Sequence, residues 1–468
     1  MITNEKVRGK RFAVLGLGRT GMATCDALIA SGAEVLAWDE SILALANARK
    51  RNLSVVDLFQ GHNLEGCNRL IISPGIPHLY PNPHPIVKEA INRGIAVDND
   101  IGLFFEFVEG EHKEQSSPMV IAITGTNGKS TTTALINQIL THAGHKSEVA
   151  GNIGCAVLGI SPLEELEFIV LEVSSYQLEL ASKINPQLAI FLNLSPDHLS
   201  RHGGLGGYFL AKTRLFQGSK LEKAIIGVDE KEGQFLANTL QTRRPEVSLT
   251  RITNGDNFLS TDDSFIADDN ILSEVIDISC KERLQKVHSH GLHGRHNLQN
   301  AAAALVACRH LGISEQDIIS SFKTFKGLPH RSQLITQING VSYINDSKAT
   351  NFSSAAKSLR SFSNIHWLAG GLTKEEDFKE LRSSLINVKH GYFFGHSAKT
   401  FANQLDTIPC SVYPSLGDAL NRARSEAESG DTILLAPGGA SFDQFRDFEQ
   451  RGDHFVELIM EKNKMIEK

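Results

Sequence analysis

The stretch from Met119 to Thr131 restricts this chain more than any other part of it. Met119 to Ile123 is an unbroken apolar run and reads as a buried strand. Gly125 and Gly128 then permit a tight turn, and helical spacing sets in from Ser130 through Ala134, Leu135, Ile136 and Ile139. Strand, Gly-Lys-Ser turn and helix, in that order, make a phosphate cradle. The turn's N–H groups converge on phosphate oxygens, helped by the positive end of the helix. Lys129 is placed to reach the terminal phosphates, and the Ser130 hydroxyl to sit on Mg²⁺. Ile123 stands where the commoner form of the turn has its first glycine, so this is a shorter variant. The competing reading is an ordinary glycine-rich turn.

At 468 residues the chain exceeds one hydrophobic core, and two to four domains are expected. The 47 basic and 53 acidic residues leave a net charge of −6, which gives no electrostatic reason for nucleic acid or a membrane surface as partner. Cys25, Cys67, Cys155, Cys280, Cys308 and Cys410 are scattered without a Cys-x-x-Cys pair. Buried apolar thiols are expected, rather than a disulfide framework or a zinc site. The N-terminus is charged and no apolar run is long enough to cross a bilayer, so a cytoplasmic location is expected. A monomer is expected.

Upstream of the cradle, the strand Arg11–Leu15 leads into Gly16-Leu-Gly18-Arg-Thr-Gly21, a helix pattern, and a second strand, Glu34–Trp38, that ends at Asp39. This is a dinucleotide-binding fingerprint with an acid at the ribose position. It says that a phosphate-bearing ligand approaches backbone closely, and it does not name the ligand. Leu70–Ile76 reads as a buried strand ending in a turn, with Ser73 and Gly75 where open α/β sheets bind ligands. Pro81-Asn-Pro-His-Pro85 reads as a surface connection rather than helix or central strand, and 109–118 as a linker.

Downstream, Ala150-Gly-Asn-Ile-Gly154 is a tight turn. Glu172 ends the otherwise apolar strand Phe168–Val173, where a carboxylate is costly unless paired or on a metal. His198 follows the strand Leu188–Asn193, and Lys212 lies on a helix expected over Tyr208–Phe216. Residues Val247 to Ile278 read as short strands and turns. Asn297 and Asn300 lie three apart on one helix face, suited to an adenine edge or to a cap. Phe325–Arg331 looks like a hinge. Beyond it, a hairpin from Gln333 to Asn345 with its turn at Asn339-Gly340 opens a third α/β unit. Helices are expected there near Phe378–Leu385, Leu416–Ala427 and Phe448–Met460. Gly370-Gly371 and Pro437-Gly438-Gly439 leave room for a ligand or another domain.

These motifs together resemble the Mur ligase family of peptidoglycan synthesis over essentially the whole chain. The short loop Thr124-Gly-Thr-Asn-Gly-Lys-Ser-Thr131 is shared with the related folylpolyglutamate synthases. Ser73-Pro-Gly-Ile76, Leu171–Leu178, Leu328-Pro-His-Arg331, Asn345–Asn351, Ser441–Phe445 and Phe448–Gly452 resemble the branch of the family that adds D-glutamate. The resemblance implies an α/β chain of three domains. These are a Rossmann-like domain over 1–112 holding the UDP part of the substrate, a central ATP-binding domain over 113–328, and a Rossmann-like C-terminal domain over 329–468. It assigns Gly18, Arg19, Thr20, Asp39, Ser73, Gly75 and Asn152 to the UDP-linked substrate. Gly125, Thr126, Asn127, Gly128, Lys129, Ser130, Thr131, Asn297, Arg331 and Asp346 fall to ATP, with Asn300 a further candidate. Ser130, Glu172, His198 and Lys212 fall to two Mg²⁺ sites, with Lys212 carbamylated. Lys348, Thr350, Lys374, Ser441, Phe442 and Phe448, with His330 near them, fall to D-glutamate or the closed site.

The implied chemistry is ATP-driven amide formation between UDP-N-acetylmuramoyl-L-alanine and D-glutamate through an acyl phosphate, with Lys129, His198 and Lys212 as the catalytic group. Of three alternatives, the first stays within the ligase class and the other two differ in class. Another amino-acid ligase of the same family differs only in the amino acid taken. A nicotinamide-dependent oxidoreductase built on Gly16–Asp39 leaves the phosphate loop unexplained. A nucleotide-switched binding protein hydrolyses ATP without making an amide.

Overall fold

The computed structural model describes residues 1–110, 117–197, 199–253, 274–277, 292, 295–373 and 377–466. Their secondary structure is mixed α/β, arranged as three largely parallel sheets. The chain divides into two compact units, the first made of Met1–Val287 with Arg295–Phe322 and the second of His288–Gly294 with Lys323–Lys468.

The first unit opens with β1 (Arg11–Leu15), α1 (Arg19–Ala30), β2 (Glu34–Trp38), α2 (Ile42–Lys50), β3 (Ser54–Val55), β4 (Arg69–Ile72), α3 (Pro85–Asn92), β5 (Ala96–Asp98) and α4 (Asp100–Gly110). The strands pair in parallel in the order β3-β2-β1-β4-β5. Strand order reverses at β1, which opens a crevice beyond the carboxyl ends of β1 and β4. Pro85 corrects the reading of 81–85 as connection throughout. It opens α3, where its missing N–H is harmless, and His84 Nδ1 accepts from Ile86 N at 3.2 Å.

The same unit continues with β6 (Met119–Thr124), α5 (Lys129–His142), β7 (Ser147–Gly151), β8 (Phe168–Glu172), α6 (Ser175–Leu180), β9 (Leu188–Phe191), α7 (Leu199–His202), α8 (Leu205–Thr213), β10 (Lys223–Gly227), α9 (Lys231–Arg243), β11 (Ser248–Thr253), β12 (Glu274–Asp277), α10 (Arg295–His310) and α11 (Glu315–Thr324). The order is β12-β11-β10-β9-β6-β8-β7, again parallel throughout. The central strands β6, β8 and β9 are apolar without alternation because helices cover both faces. Helix α8 begins before Tyr208 and stops at Thr213; Arg214–Phe216 is a separate 3₁₀ turn. One apolar core runs through both sheets, from Phe12 and Val14 to Val120 and Phe191. Polar ties join the two sheets as well: Asn99 Nδ2 donates to Gln177 O at 2.7 Å, and Ser182 N to Asp98 Oδ1 at 2.9 Å.

The second unit carries β13 (Gln333–Ile338), β14 (Val341–Asn345), α12 (Phe352–Ser361), β15 (Ile365–Gly370), α13 (Lys379–Arg382), β16 (Val388–Phe394), α14 (Ala398–Gln404), β17 (Cys410–Tyr413), α15 (Leu416–Glu426), β18 (Thr432–Leu435) and α16 (Phe448–Ile466). Its order is β13-β14-β18-β15-β16-β17, with only the β13–β14 hairpin antiparallel. Asn339 (φ 50°) and Gly340 (φ 79°) make the hairpin turn from left-handed backbone. The helix expected over 378–385 is shorter, four residues ending at Arg382. Room at the paired glycines serves the unit's own backbone. Gly370 N donates to Pro437 O at 2.9 Å, and Leu372 and Ala440 exchange bonds of 2.7 and 2.8 Å.

Cys25, Cys67 and Cys308 are buried as expected, Cys410 is half-buried, and Cys155 is exposed; Cys280 lies outside the described residues. Among the described residues no helix is long and apolar enough to cross a membrane.

Candidate active site

The turn between β6 and α5 is built around Gly125 and Gly128. Gly128 caps α5 with φ 83°, and a Cβ there would lie 2.1 Å from Asn300 Oδ1. The turn is therefore closed by side chains from across the sheet. Thr126 N donates to Asn193 O and Asn127 N to Asn193 Oδ1, both at 2.9 Å. Thr126 Oγ1 lies 3.1 Å from the Tyr208 hydroxyl and accepts from Ser195 N at 3.0 Å.

Two lysines meet at this turn. Lys129 Nζ donates to Gly125 O and Thr126 O at 2.9 Å each, and Lys212 Nζ donates to Gly125 O at 2.8 Å. Lys212 is 1% exposed, and its Nζ stands 4.6 Å from the centre of the Tyr208 ring. Burial holds the pKa of its amine well below the ordinary lysine value, and the charge of Lys129 lowers it further. Ser130 is buried at the first turn of α5, and Thr131 is half-buried next to it.

Glu172 closes β8 beside the turn and is 1% exposed. Asn152 Nδ2 donates to its Oε1 at 2.7 Å, while its Oε2 is buried without a hydrogen-bond partner. A carboxylate oxygen left orphaned opposite the strand that runs into the phosphate turn suits Mg²⁺, which takes oxygen ligands and few protein groups. Among the described residues no three His, Cys, Asp or Glu side chains gather as a metal cluster. His198 lies outside the described residues.

In the first sheet, Gly16 has φ 93°, and a Cβ there would lie 2.6 Å from Ser73 Oγ; one on Gly21 would lie 1.8 Å from Gly16 O. Both glycines are required for the turn to close. Ser73 Oγ donates to Gly16 O at 3.0 Å. The Asp39 carboxylate accepts from Leu17 N at 2.6 Å and Ser41 N at 2.7 Å, so it braces the turn as well as facing the crevice. Gly18, Arg19 and Gly75 are exposed around it, and Thr20 is half-buried.

Asn297 and Asn300 bond to one another, Nδ2 of Asn300 donating to Oδ1 of Asn297 at 2.8 Å. Asn300 Oδ1 also accepts from Thr132 Oγ1 at 3.3 Å, which ties α10 to α5.

In the second unit, Asp346 is buried, and burial raises its carboxyl pKa; Oδ1 accepts from Ser332 N at 3.1 Å and Oδ2 from the Ser358 hydroxyl. Arg331 lies close enough in charge to pull that pKa back. His330 has φ 60°, and burial lowers its pKa; its Nδ1 is 3.1 Å from Asn345 Nδ2. Lys348 Nζ sits 3.7 Å from the centre of the Phe448 ring. Thr350 is half-buried, Ser441 is buried, and Phe442 is 70% exposed; Lys374 lies outside the described residues.

Two groups received no role from the sequence, although Arg451 lies inside the stretch Phe448–Gly452 already singled out. Arg201 Nη2 donates to Ile76 O at 3.2 Å and its Nη1 to Glu179 Oε2 at 3.1 Å, which joins the turn after β4 to α7 and α7 to α6. His202 Nδ1 reaches Glu179 Oε1 at 3.1 Å. Glu179 and Arg201 sit one or three residues from stretches already singled out, and only their distant contacts mark them. Arg451 is fully buried in the second unit and donates to Ser347 Oγ, Ser347 O and Gly439 O at 3.0, 2.8 and 3.0 Å.

Residues 123–308 match the Mur ligase middle domain, and 330–439 match the Mur ligase glutamate ligase domain. A UDP-N-acetylmuramoylalanine--D-glutamate ligase of Cereibacter sphaeroides is 46% identical over 461 residues, covering 98% of this chain and 99% of that one. The chain belongs to the Mur ligase family. The protein of the same name from Dinoroseobacter shibae is 47% identical over 463 residues, 97% of this chain and 98% of that one. Among solved structures, UDP-N-acetylmuramate-alanine ligase MurC of Thermotoga maritima superposes with a TM-score of 0.58 at 15% identity, covering 97% of this Mur ligase and 99% of that chain. A UDP-N-acetylmuramoylalanyl-D-glutamyl-2,6-diaminopimelate--D-alanyl-D-alanyl ligase of Acinetobacter baumannii gives 0.54 at 15% identity, over 98% and 92%. These two likenesses speak for the fold alone.

Proposed function

We propose that this Mur ligase joins D-glutamate to UDP-N-acetylmuramoyl-L-alanine at the cost of ATP. The observation that carries the reading is the meeting of Lys129 and Lys212 on Gly125 O in a phosphate turn flanked by the orphaned Glu172 oxygen. The full-length relatives at 46% and 47% identity supply the amino acid and the acceptor.

A carboxylate resists attack by an amine. Transfer of the ATP γ-phosphoryl to the L-alanyl carboxylate oxygen breaks the bond to ADP and gives an acyl phosphate with a good leaving group. The D-glutamate nitrogen then attacks the carbonyl carbon, the tetrahedral intermediate expels phosphate, and the amine proton leaves to solvent or a base. Lys129 neutralises charge on the moving phosphoryl, and N–H groups of the turn other than those of Thr126 and Asn127, which are bonded to Asn193, hold the phosphates still. Ser130 and Glu172 would hold Mg²⁺, with His198 and Lys212 at a second site; when bound, Mg²⁺ supplies further charge neutralisation. Lys212, whose amine loses its proton more readily than an ordinary lysine's because it is buried beside Lys129, is suited to take CO₂ as a carbamate, which turns an amine into an anion. Gly18, Arg19, Thr20, Asp39, Ser73, Gly75 and Asn152 are assigned to the UDP-linked substrate. Arg331 and Asp346 are assigned to the nucleotide, and Lys348, Thr350, Lys374, Ser441, Phe442 and Phe448 to D-glutamate.

The test is phosphate release from UDP-N-acetylmuramoyl-L-alanine, ATP and Mg²⁺ with amino acids offered singly. Release with D-glutamate and amide product by mass is expected. Equal release without any amino acid, or preference for another one, would overturn the proposal.

A further inference from the structure

Four side chains form a continuous relay behind the phosphate turn. Gln299 is 3% exposed on α10. Its Nε2 donates to Asp229 Oδ2 at 3.0 Å, just beyond β10, and its Oε1 accepts from Asn193 Nδ2 at 2.9 Å, just beyond β9. Asn193 Oδ1 accepts in turn from Asn127 N at 2.9 Å, inside the turn, and Asn193 Nδ2 also reaches Asn127 O at 3.2 Å. Thr253 Oγ1 donates to the other Asp229 oxygen at 2.5 Å. Space for Gln299 is reserved, since a Cβ on Gly227 would lie 2.8 Å from its Nε2 and 1.8 Å from Leu192 O.

The relay has a direction. A carboxylate accepts at one end and a backbone N–H donates at the other, and neither role can be exchanged. Between them each primary amide has one orientation that satisfies both neighbours. Turning the Gln299 amide over would set oxygen against the Asp229 carboxylate and NH₂ against the Asn193 NH₂. An amide left unpaired in this way is costly, at Gln299 in a buried position and at Asn193 in a half-buried one, so the carboxylate fixes the orientation of Gln299, Gln299 that of Asn193, and Asn193 the peptide of Asn127. The Asn127 N–H therefore points back into the protein rather than at phosphate.

We infer that Gln299 is a positioning residue for the nucleotide: through Asn193 it sets the Asn127 peptide, and Asp229 sets its polarity. This rests on the reading of the turn as an ATP site and deepens it. Gln299 touches no reacting atom in this scheme. It shapes the cradle that holds the phosphates, and none of its bonded partners is among the residues assigned to the UDP-linked substrate.

The direction of the relay supplies a test that a general packing role does not pass. Gln299→Glu places two carboxylates face to face and breaks the relay. Asp229→Asn keeps it, because the new amide offers its oxygen to Gln299 and its NH₂ to the Thr253 hydroxyl, which can turn and accept. The double exchange Asp229→Asn with Gln299→Glu restores it: the amide introduced at position 229 donates to the carboxylate introduced at position 299, which also accepts from Asn193. The readouts are AMP-PNP–Mg²⁺ affinity by calorimetry, which needs no turnover, the KM for each substrate, and the melting temperature. Gln299→Glu should weaken AMP-PNP about tenfold or more, Asp229→Asn about threefold or less, and the double exchange should recover most of the loss. The KM for the UDP-linked substrate should stay within about twofold in all three. Unchanged affinity in Gln299→Glu, a double exchange no better than that single variant, or Asp229→Asn as impaired as it would overturn the inference; so would equal losses for both substrates. If Gln299→Glu is recovered unfolded, return of folded protein in the double exchange counts as the same rescue, and failure to return overturns it. Absence of D-glutamate-dependent turnover in the unaltered chain would instead tell against the ligase reading, leaving the affinity series to judge the relay.

Discussion

Lys212 and Lys129 donate to the same oxygen, Gly125 O, at 2.8 and 2.9 Å. Two ammonium groups so close repel, and one of them is buried, so the pair favours loss of a proton from Lys212. The folded chain then keeps Lys212 neutral in a pH range where the unfolded chain charges it. Its contribution to stability is whole above the ordinary value of 10.5 and is lost as pH falls from there toward the depressed folded value. Lys212→Met removes that loss, so the variant should gain on the parent as pH falls below 10.5, read from urea midpoints. Turnover should fall by about 100-fold or more, because the group assigned to the second Mg²⁺ site is gone. A carbamate signal after addition of ¹³C-bicarbonate should be present in the parent and absent in the variant. A variant that turns over normally would remove Lys212 from the site.

Glu172 sets up a narrower expectation. Asn152 satisfies Oε1, and Oε2 is buried without a partner. Glu172→Gln keeps the first contact, with its oxygen facing Asn152, and puts NH₂ where a metal ligand would stand. The fold should survive, and the Mg²⁺ concentration giving half-maximal turnover should rise about tenfold or more. A Mg²⁺ titration identical to that of the parent would mean that this oxygen is not a ligand.

The two glycine turns make a matched pair. A Cβ at Gly128 would enter left-handed backbone and approach Asn300 Oδ1 to 2.1 Å, whereas one at Gly21 would meet Gly16 O at 1.8 Å. Each alanine variant should lose about 1–3 kcal/mol of stability by thermal unfolding. Gly128→Ala should raise the KM for ATP, and Gly21→Ala the KM for the UDP-linked substrate, each leaving the other constant within about twofold. Crossed effects would mean that the two turns do not serve separate ligands.

What was legible in the sequence follows from periodicity and from glycine. The central strands β6, β8 and β9 of the second sheet are nearly continuous apolar runs, and the Gly125–Gly128 turn has few conformations open to it, so both could be read locally. Helix α4 could not, because Asp100–Gly110 is apolar nearly all round and shows no stripe. The Pro85 start of α3 was hidden by the prolines before it. Glu172 stood out as an acid in an apolar strand, but Gln299 had no such contrast. It is one polar residue among several on α10, and its partners Asp229 and Asn193 are 70 and 106 residues away. A contact formed at that sequence distance leaves no local period to detect. The paired glycines after β15 and β18 signalled close approach correctly in kind, but the partner is the unit's own backbone.

Arg451 tests the second unit by itself. Its guanidinium is fully buried on α16, and burial lowers its pKa to about 10. Nε donates to Ser347 Oγ, Nη2 to Ser347 O, and Nη1 to Gly439 O, so one planar group pins the segment after β14 and the turn after β18 to the last helix. Those segments carry Asp346, Lys348 and Ser441. Lysine cannot reproduce a three-nitrogen fork, and its single nitrogen would leave two of these acceptors unpaired. Arg451→Lys should therefore be far from conservative and cost about 3–5 kcal/mol by denaturant unfolding, comparable with breaking other buried charged contacts. Because the segments it pins hold the residues assigned to D-glutamate, the KM for D-glutamate should rise more than that for the UDP-linked substrate in whatever fraction stays folded. A fully stable Arg451→Lys protein with unchanged D-glutamate kinetics would mean that the fork is replaceable, and that something else fixes the Ser347–Thr350 segment.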